Sequence, residues 1–333
     1  MKSLPLLIRL ENIDNPIEII SQDLNFSAEE TNLARALIGQ GLPPLANPAV
    51  LPYLFGISHQ LVGYIEKFPE RFYRTFTLPK KTGGSRTIVA PRRVLKTIQR
   101  WIYINICLKA IPHSSATAFI RGKNIFYNAQ VHSKNKNLMV IDITDFFPSI
   151  KFSQVENIFK GFGFPDKVNH QLTALCCLNS SLPQGAPTSP ILSNLVFKPA
   201  DIKLSELAED WHCNYTRYAD DLAFSGSRVF TKDDKSKVAE ILKEFRLSIN
   251  ERKSRIIGQG GRQMIAGVVV NQFALPPRIL RRRWRATFHR VSCHPKEFKA
   301  RLSSLAGTIA FVNQFSPETA SKYQQTLKKV YKF

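Results

Sequence analysis

Two aspartates stand side by side in Tyr218-Ala-Asp-Asp221, and a third, Asp142, interrupts the apolar run Leu138-Met-Val-Ile-Asp-Ile143. Adjacent carboxylates in a tight turn repel each other, so at least one is forced toward a higher pKa unless a cation neutralises the pair. Mg²⁺ suits such oxygens, because it is commonly held by one or two protein carboxylates together with substrate phosphates. Two such ions, about 4 Å apart, would activate an attacking 3′-oxygen and stabilise a leaving pyrophosphate. The competing reading is a solvated acidic turn that binds nothing.

These carboxylates need a scaffold, and the surrounding pattern supplies one. Residues 138–143 predict a buried strand that ends at a site, and Tyr215 to Ser225 predicts a hairpin with the acidic pair in its turn. Met264 to Val270 predicts one further strand. Alternation from Arg71 to Thr77, then Pro79-Lys-Lys-Thr-Gly-Gly84, then Ser85 to Val89 predicts two strands joined by a basic, glycine-containing turn. Helices are expected over 27–38, opened by the capping box Ser27-Ala-Glu-Glu30, and over 58–67, 94–110, 153–161, 166–178 and 238–245, with another beginning after Pro190. Residues 1–70 carry no residues that suggest chemistry. Pro276-Pro277 marks a boundary before a basic helical tail, in which Arg278, Arg281, Arg282 and Arg285 share one face. Trp284, among them, either stacks on a base or anchors the helix in a core.

The chain of 333 residues carries 47 Lys plus Arg against 25 Asp plus Glu, a formal net charge of +22. That excess points to a polyanionic partner. No apolar run approaches the roughly 18 residues that span a bilayer, so a nucleic acid is favoured over a membrane. The N-terminal apolar stretch is too short for a signal-peptide core. Five cysteines, odd in number and with no C-x-x-C pair, predict reduced thiols in a cytoplasmic protein. Cys176 and Cys177 read as core filler.

The blocks occur in an order that resembles the reverse transcriptases. Tyr218-Ala-Asp-Asp221 is similar to their Y-x-D-D box, residues 138–150 to the preceding carboxylate block, and Leu182-Pro-Gln-Gly-Ala-Pro-Thr-Ser-Pro190 to their L-P-Q-G block. Lys80 to Pro91 resembles the fingers block, Leu247 to Ile256 the lysine block, and Gly267 to Val270 the primer grip. Asn128-Ala-Gln-Val-His132, after Ala118-Phe-Ile-Arg-Gly-Lys123, resembles the N-A-x-x-H element of the bacterial retron enzymes. Ile265-Ala-Gly267 departs from their V-T-G and loses its hydroxyl.

The resemblance implies an α+β right-hand polymerase. Residues 1–70 would be an N-terminal helical extension, 71–275 fingers and palm with an antiparallel sheet, and 276–333 a basic helical thumb. It implies that Asp142, Asp220 and Asp221 are catalytic and, with the Ile143 carbonyl, hold two Mg²⁺ ions; Asp145 is a competing candidate. Lys80, Arg86, Gln184 and Lys253 would contact the incoming dNTP, and Phe147 would be a steric gate against ribonucleotides or else plain core. Asn128, His132, Gly267 and the four tail arginines would contact RNA, with a structural role as the alternative for His132. The implied function is reverse transcription of a cognate non-coding RNA, both template and primer, into RNA-linked single-stranded DNA in phage defence, with a separately encoded effector. A non-retron defence enzyme and an RNA-binding scaffold with a vestigial site are the rivals.

Overall fold

The structure, a computed structural model, describes residues 16–79 and 84–331. The chain divides into two compact units, one of residues 1–113 and 145–199, the other of residues 114–144 and 200–333. This division cuts across the sequence boundaries at 70 and 275. The second unit gathers segments distant in sequence because its central strand pairs with strands that lie about a hundred residues later along the chain.

In the first unit, Ser27 caps the helix Ala28–Gly39 through the full capping box with Glu30, and Ser58 caps the helix His59–Lys67. Strands β1 (Tyr73–Pro79) and β2 (Ser85–Pro91) form an antiparallel ribbon in which Leu78 faces Arg86. Only Tyr73 on β1 is buried, whereas β2 is exposed over its first three residues and turns inward to the buried Ala90 and Pro91. The following helix runs Arg93–Asn105, shorter than the sequence pattern suggests, and tightens into a 3-10 turn at Cys107–Lys109. Gly185 explains why the ribbon and the Leu182–Pro190 segment need a glycine. Its φ is +136°, and a Cβ there would lie 2.9 Å from both the Ile88 side chain and the Val89 carbonyl. The Val89 N–H donates to the Gln184 carbonyl across the same contact at 2.9 Å.

In the second unit, β3 (Asn137–Asp142), β4 (Asn214–Tyr218), β5 (Asp221–Gly226) and β6 (Arg255–Ile257) form an antiparallel sheet of order β4-β5-β3-β6. Residues 138–142 are buried without alternation, as expected of a central strand covered on both faces. The helix Lys232–Glu244 starts six residues before the expected Val238, because Thr231 and Asp234 form a capping box.

The single strand expected over 264–270 is instead a tight hairpin of β7 (Met264–Ile265) and β8 (Val268–Val269). Ala266 and Gly267 turn it, both with positive φ (46° and 85°), the signature of a type I′ turn. After Pro277 come the helices Arg278–Cys293, Leu302–Asn313 and Pro317–Tyr331. They bury Phe288, Val291, Leu305, Ile309, Tyr323 and Leu327 together, with Trp284 packed against the cluster. The fold is α+β with antiparallel sheets. No helix among the described residues is long and apolar enough to cross a membrane.

Candidate active site

The β4–β5 hairpin has a two-residue turn, Ala219-Asp220, between the paired residues Tyr218 and Asp221. Ala219 takes φ 58°, a left-handed conformation that costs an alanine about 1–2 kcal/mol. The strain is held from two sides. The Ile143 N–H donates to the Asp220 carbonyl at 2.9 Å, and Arg217 Nη1 donates to the Ala219 carbonyl at 3.3 Å.

Across the sheet, Asp142 lies directly opposite Asp221 in the β3–β5 register. Three aspartates therefore lie at one end of two neighbouring strands. Directly opposed like charges destabilise a sheet. The strain shows in Asp221, whose carboxyl is pushed up to about 7, first by burial and then by the charges of Asp220 and Asp142, against the lowering pull of Arg255 and Lys253.

Lys253 answers part of this charge. It precedes β6, whose Arg255 pairs with Val140 on β3, and its Nζ reaches both Asp142 oxygens at 2.9 Å. That bond, first among the causes, raises the lysine pKa. The Asp142 backbone is fixed as well, its carbonyl accepting from Asn250 N–H at 2.7 Å. With Thr144 N–H donating to the Ser248 carbonyl at 2.9 Å, the Ile143–Ile249 bridge leaves the Ile143 carbonyl outside its two bonds.

This donor set fits Mg²⁺. All its ligands are hard oxygens, their mutual repulsion is what a divalent cation relieves, and an ammonium already takes a cation's place on Asp142. Among the described residues no three Asp, Glu, His or Cys side chains converge on one ion. The described residues alone offer no closed cage, which suits an ion that usually keeps waters and substrate phosphates in its shell.

Behind the turn lies a buried ion pair that sequence reasoning missed. Arg217 and Asp201 are both fully buried. Arg217 donates from Nε to Asp201 Oδ1 at 2.9 Å and from Nη2 to Oδ2 at 2.6 Å, and the Tyr215 hydroxyl adds a third bond to Oδ1 at 2.8 Å. The clue was present in the helix Ser189–Asp210. Asp201 falls in its buried stripe with Phe197, Ala200, Leu204 and Ala208, where an unpaired acid would be prohibitive.

The chain matches the family model described as "Reverse transcriptase (RNA-dependent DNA polymerase)" over residues 78–274. It is 32% identical over 277 residues to the retron Mx65 reverse transcriptase of Myxococcus xanthus, covering 78% of this chain and 65% of that one. It is 30% identical over 312 residues to the retron Ec86 reverse transcriptase of Escherichia coli, covering 92% and 96%. The chain belongs to the retron-type reverse transcriptases. A third relative, the retron Mx162 reverse transcriptase of Myxococcus xanthus, is 30% identical with 74% of this chain and 58% of that one aligned. The chain thus spans less than two thirds of the two Myxococcus relatives.

Other residues that the sequence marks as candidates fall into clear places in this retron-type chain. Arg86 is exposed on β2, and Lys80 lies outside the described residues. Phe146 is the inward member of its pair, 5.9 Å from Phe197, which leaves Phe147 half-buried. Arg278, Arg281, Arg282 and Arg285 are all exposed. Trp284 sits edge-on to Phe311 at 5.7 Å, an anchor in the helical core.

Asn128 and His132 require correction as RNA contacts. Both are fully buried and present no surface to a nucleic acid. Asn128 Oδ1 accepts from the Thr216 hydroxyl at 2.7 Å and from Thr117 at 2.9 Å. Since Thr216 gives its proton to Asn128, His132 Nε2–H is the donor to Thr216 at 2.7 Å, and Nδ1 accepts from Ser225 at 2.6 Å. Burial lowers the imidazole to about 3, so it stays neutral. These residues tie the helix Ile125–Val131 and its C-terminal cap to β4 and β5 from inside.

Proposed function

We propose that this chain is an RNA-directed DNA polymerase that copies a cognate non-coding RNA, serving as both template and primer, into RNA-linked single-stranded DNA. The observation that carries the reading is the register that sets Asp142 opposite Asp221 with Asp220 in the adjoining turn. Two Mg²⁺ ions, when bound, would supply an activated primer hydroxyl and a neutralised pyrophosphate. The chain's own part is positional. Asp142, Asp220, Asp221 and the Ile143 carbonyl would hold the ions. Lys253 releases Asp142 and turns toward substrate phosphate, and Arg86, Lys80 and Gln184 bind the dNTP. Phe147 would exclude a 2′-hydroxyl, so Phe147→Ala should admit ribonucleotides, and unchanged discrimination would remove that role.

In this reading, residues 71–275 act as fingers and palm and 276–333 as thumb. The system works in the cytoplasm in phage defence, with a separately encoded effector. The decisive test is Asp220→Asn with Asp221→Asn. Mg²⁺-dependent dNTP incorporation should vanish while the thermal unfolding temperature is held or raised, since the substitutions remove repulsion. Full incorporation by that variant would overturn the assignment of these carboxylates as catalytic, and unaffected phage defence would favour the scaffold alternative.

One sequence feature, Ile265-Ala-Gly267, favours a second reading, a non-retron defence enzyme with a different DNA product. Sequencing the DNA bound to the purified protein separates the two. A debranchable RNA–DNA joint identifies a retron product, and unbranched repetitive DNA identifies the alternative.

A further inference from the structure

The β7–β8 hairpin, the 271–276 loop and the first turns of the helix Arg278–Cys293 enclose an open groove of 650 Å³. Arg262, Arg278, Arg281 and Arg282 line it, and no carboxylate does. Among the described residues none of the four forms an ion pair with an acid. Arg285, on the same helix face, is not part of the lining.

Two apolar side chains share this basic surface. Phe273 is 61% exposed and Ile279 79% exposed. The groove is built rather than loose. Asn271 pins its rim, donating from Nδ2 to the Gly261 carbonyl at 2.8 Å and accepting at Oδ1 from the Gln263 N–H at 3.0 Å. Arg281 Nε donates to the Pro276 carbonyl at 3.0 Å, which fixes its guanidinium against the loop. Lys134 Nζ lies 5.7 Å from the Phe273 ring centroid, so the ring already keeps company with a cation.

Four unpaired guanidiniums around one cavity repel one another until an anion enters, and an exposed aromatic there gains nothing from water. A duplex could neutralise the arginines, but its bases are stacked on each other and leave the ring unused. An unpaired nucleotide satisfies both, with its base on the ring and its flanking phosphates on the arginines. The volume falls within the roughly 300–1,000 Å³ range of small-ligand pockets, ample for one nucleotide.

We propose that this groove holds one unpaired nucleotide of the bound strand, its base stacked on Phe273 and its phosphates on Arg262, Arg278 and Arg282. The site reads strandedness, so it selects RNA with a single-stranded segment over uninterrupted duplex. The proposal rests on the nucleic-acid polymerase reading but not on its catalytic carboxylates.

The test uses the full chain and two hairpin RNAs, one blunt and one with a single-stranded 3′ tail carrying 2-aminopurine, without divalent cation or dNTP. Phe273→Ala should weaken the tailed RNA about tenfold, leave the blunt RNA unchanged and abolish 2-aminopurine quenching. Phe273→Tyr should restore both. Arg278→Gln with Arg282→Gln should weaken binding and reduce the salt slope by about two phosphate contacts. Equal loss on both RNAs, or unchanged quenching in Phe273→Ala, overturns the proposal. So does a glutamate-rich peptide that displaces neither RNA from the alanine variant but displaces both from the native chain, which would assign the groove to an acidic protein partner. If instead the Asp220→Asn, Asp221→Asn protein still incorporates dNTPs, the assignment of the catalytic carboxylates falls while the groove result stands.

Discussion

Lys253 holds Asp142 by both carboxylate oxygens, each 2.9 Å from its ammonium. The lysine is the resident counter-ion of Asp142, so at the proposed Mg²⁺ site ammonium and metal would compete for the same oxygens. Its side chain is 61% exposed, so it can leave without repacking the core. Lys253→Met should therefore bind Mn²⁺ several-fold more tightly than the native chain in the absence of nucleotide, read by electron paramagnetic titration. It should nevertheless incorporate dNTPs more slowly, because the phosphate contact proposed for Lys253 would be lost. Weaker Mn²⁺ binding in the variant would show that the lysine assists the metal rather than opposing it.

Asp221 gives the site a pH dependence with a definite sign. Its carboxyl is raised from 3.8 to about 7, so the folded chain keeps a proton that the unfolded chain has already lost. Stability from this group is present at low pH and is lost as pH rises through about 7. A cation that displaces the proton reverses the loss. Mg²⁺ should raise the melting temperature more at pH 8 than at pH 6, and Mn²⁺ affinity should fall about tenfold per pH unit below 7 as one proton competes. A pH-independent Mg²⁺ shift would show that Asp221 is not coupled to the metal.

The Arg217–Asp201 pair links stability to the geometry of the turn. Asp201→Asn leaves a buried guanidinium without its counter-charge and should cost about 3–5 kcal/mol. Arg217→Met with Asp201→Leu removes both charges and should recover most of that loss. The double variant still lacks the Nη1 bond to the Ala219 carbonyl, so its turnover should remain below native while its fold is restored. Urea unfolding and single-turnover incorporation on the same preparations separate the two effects. Native turnover in the refolded double variant would make the pair purely structural.

These cases show what the sequence makes visible. Asp142, Asp220 and Asp221 are legible because adjacent acids and an acid in an apolar strand are costly without a purpose. Asp201 was equally legible by the same logic, yet its burial shows only once the stripe of the helix Ser189–Asp210 is drawn. Ala266 carries no turn propensity, so residues 264–270 read as one strand although Gly267 marks the bend. The start of the helix at Lys232 was written in Thr231 and Asp234. The position of Lys253 depends on β6 pairing with β3, a tertiary fact that no local pattern encodes.

His132 offers the last test, because its two hydrogen bonds and its neutrality are the same fact. Its folded pKa is lowered from 6.5 to about 3, so the unfolded chain takes up a proton that the folded chain refuses. Stability is therefore lost as pH falls below about 6.5, at a limit of about 1.4 kcal/mol per pH unit for one proton. His132→Gln removes that titration but leaves the Thr216 and Ser225 hydroxyls imperfectly paired. The variant should be about 1–3 kcal/mol less stable at pH 7.5, and the gap to the native chain should narrow as pH falls from 6.5 to 4.5. Urea midpoints across that range measure it. Parallel pH curves for the two proteins would mean that the imidazole is protonated inside the fold, and the tautomer that joins Thr216 to Ser225 would have to be abandoned.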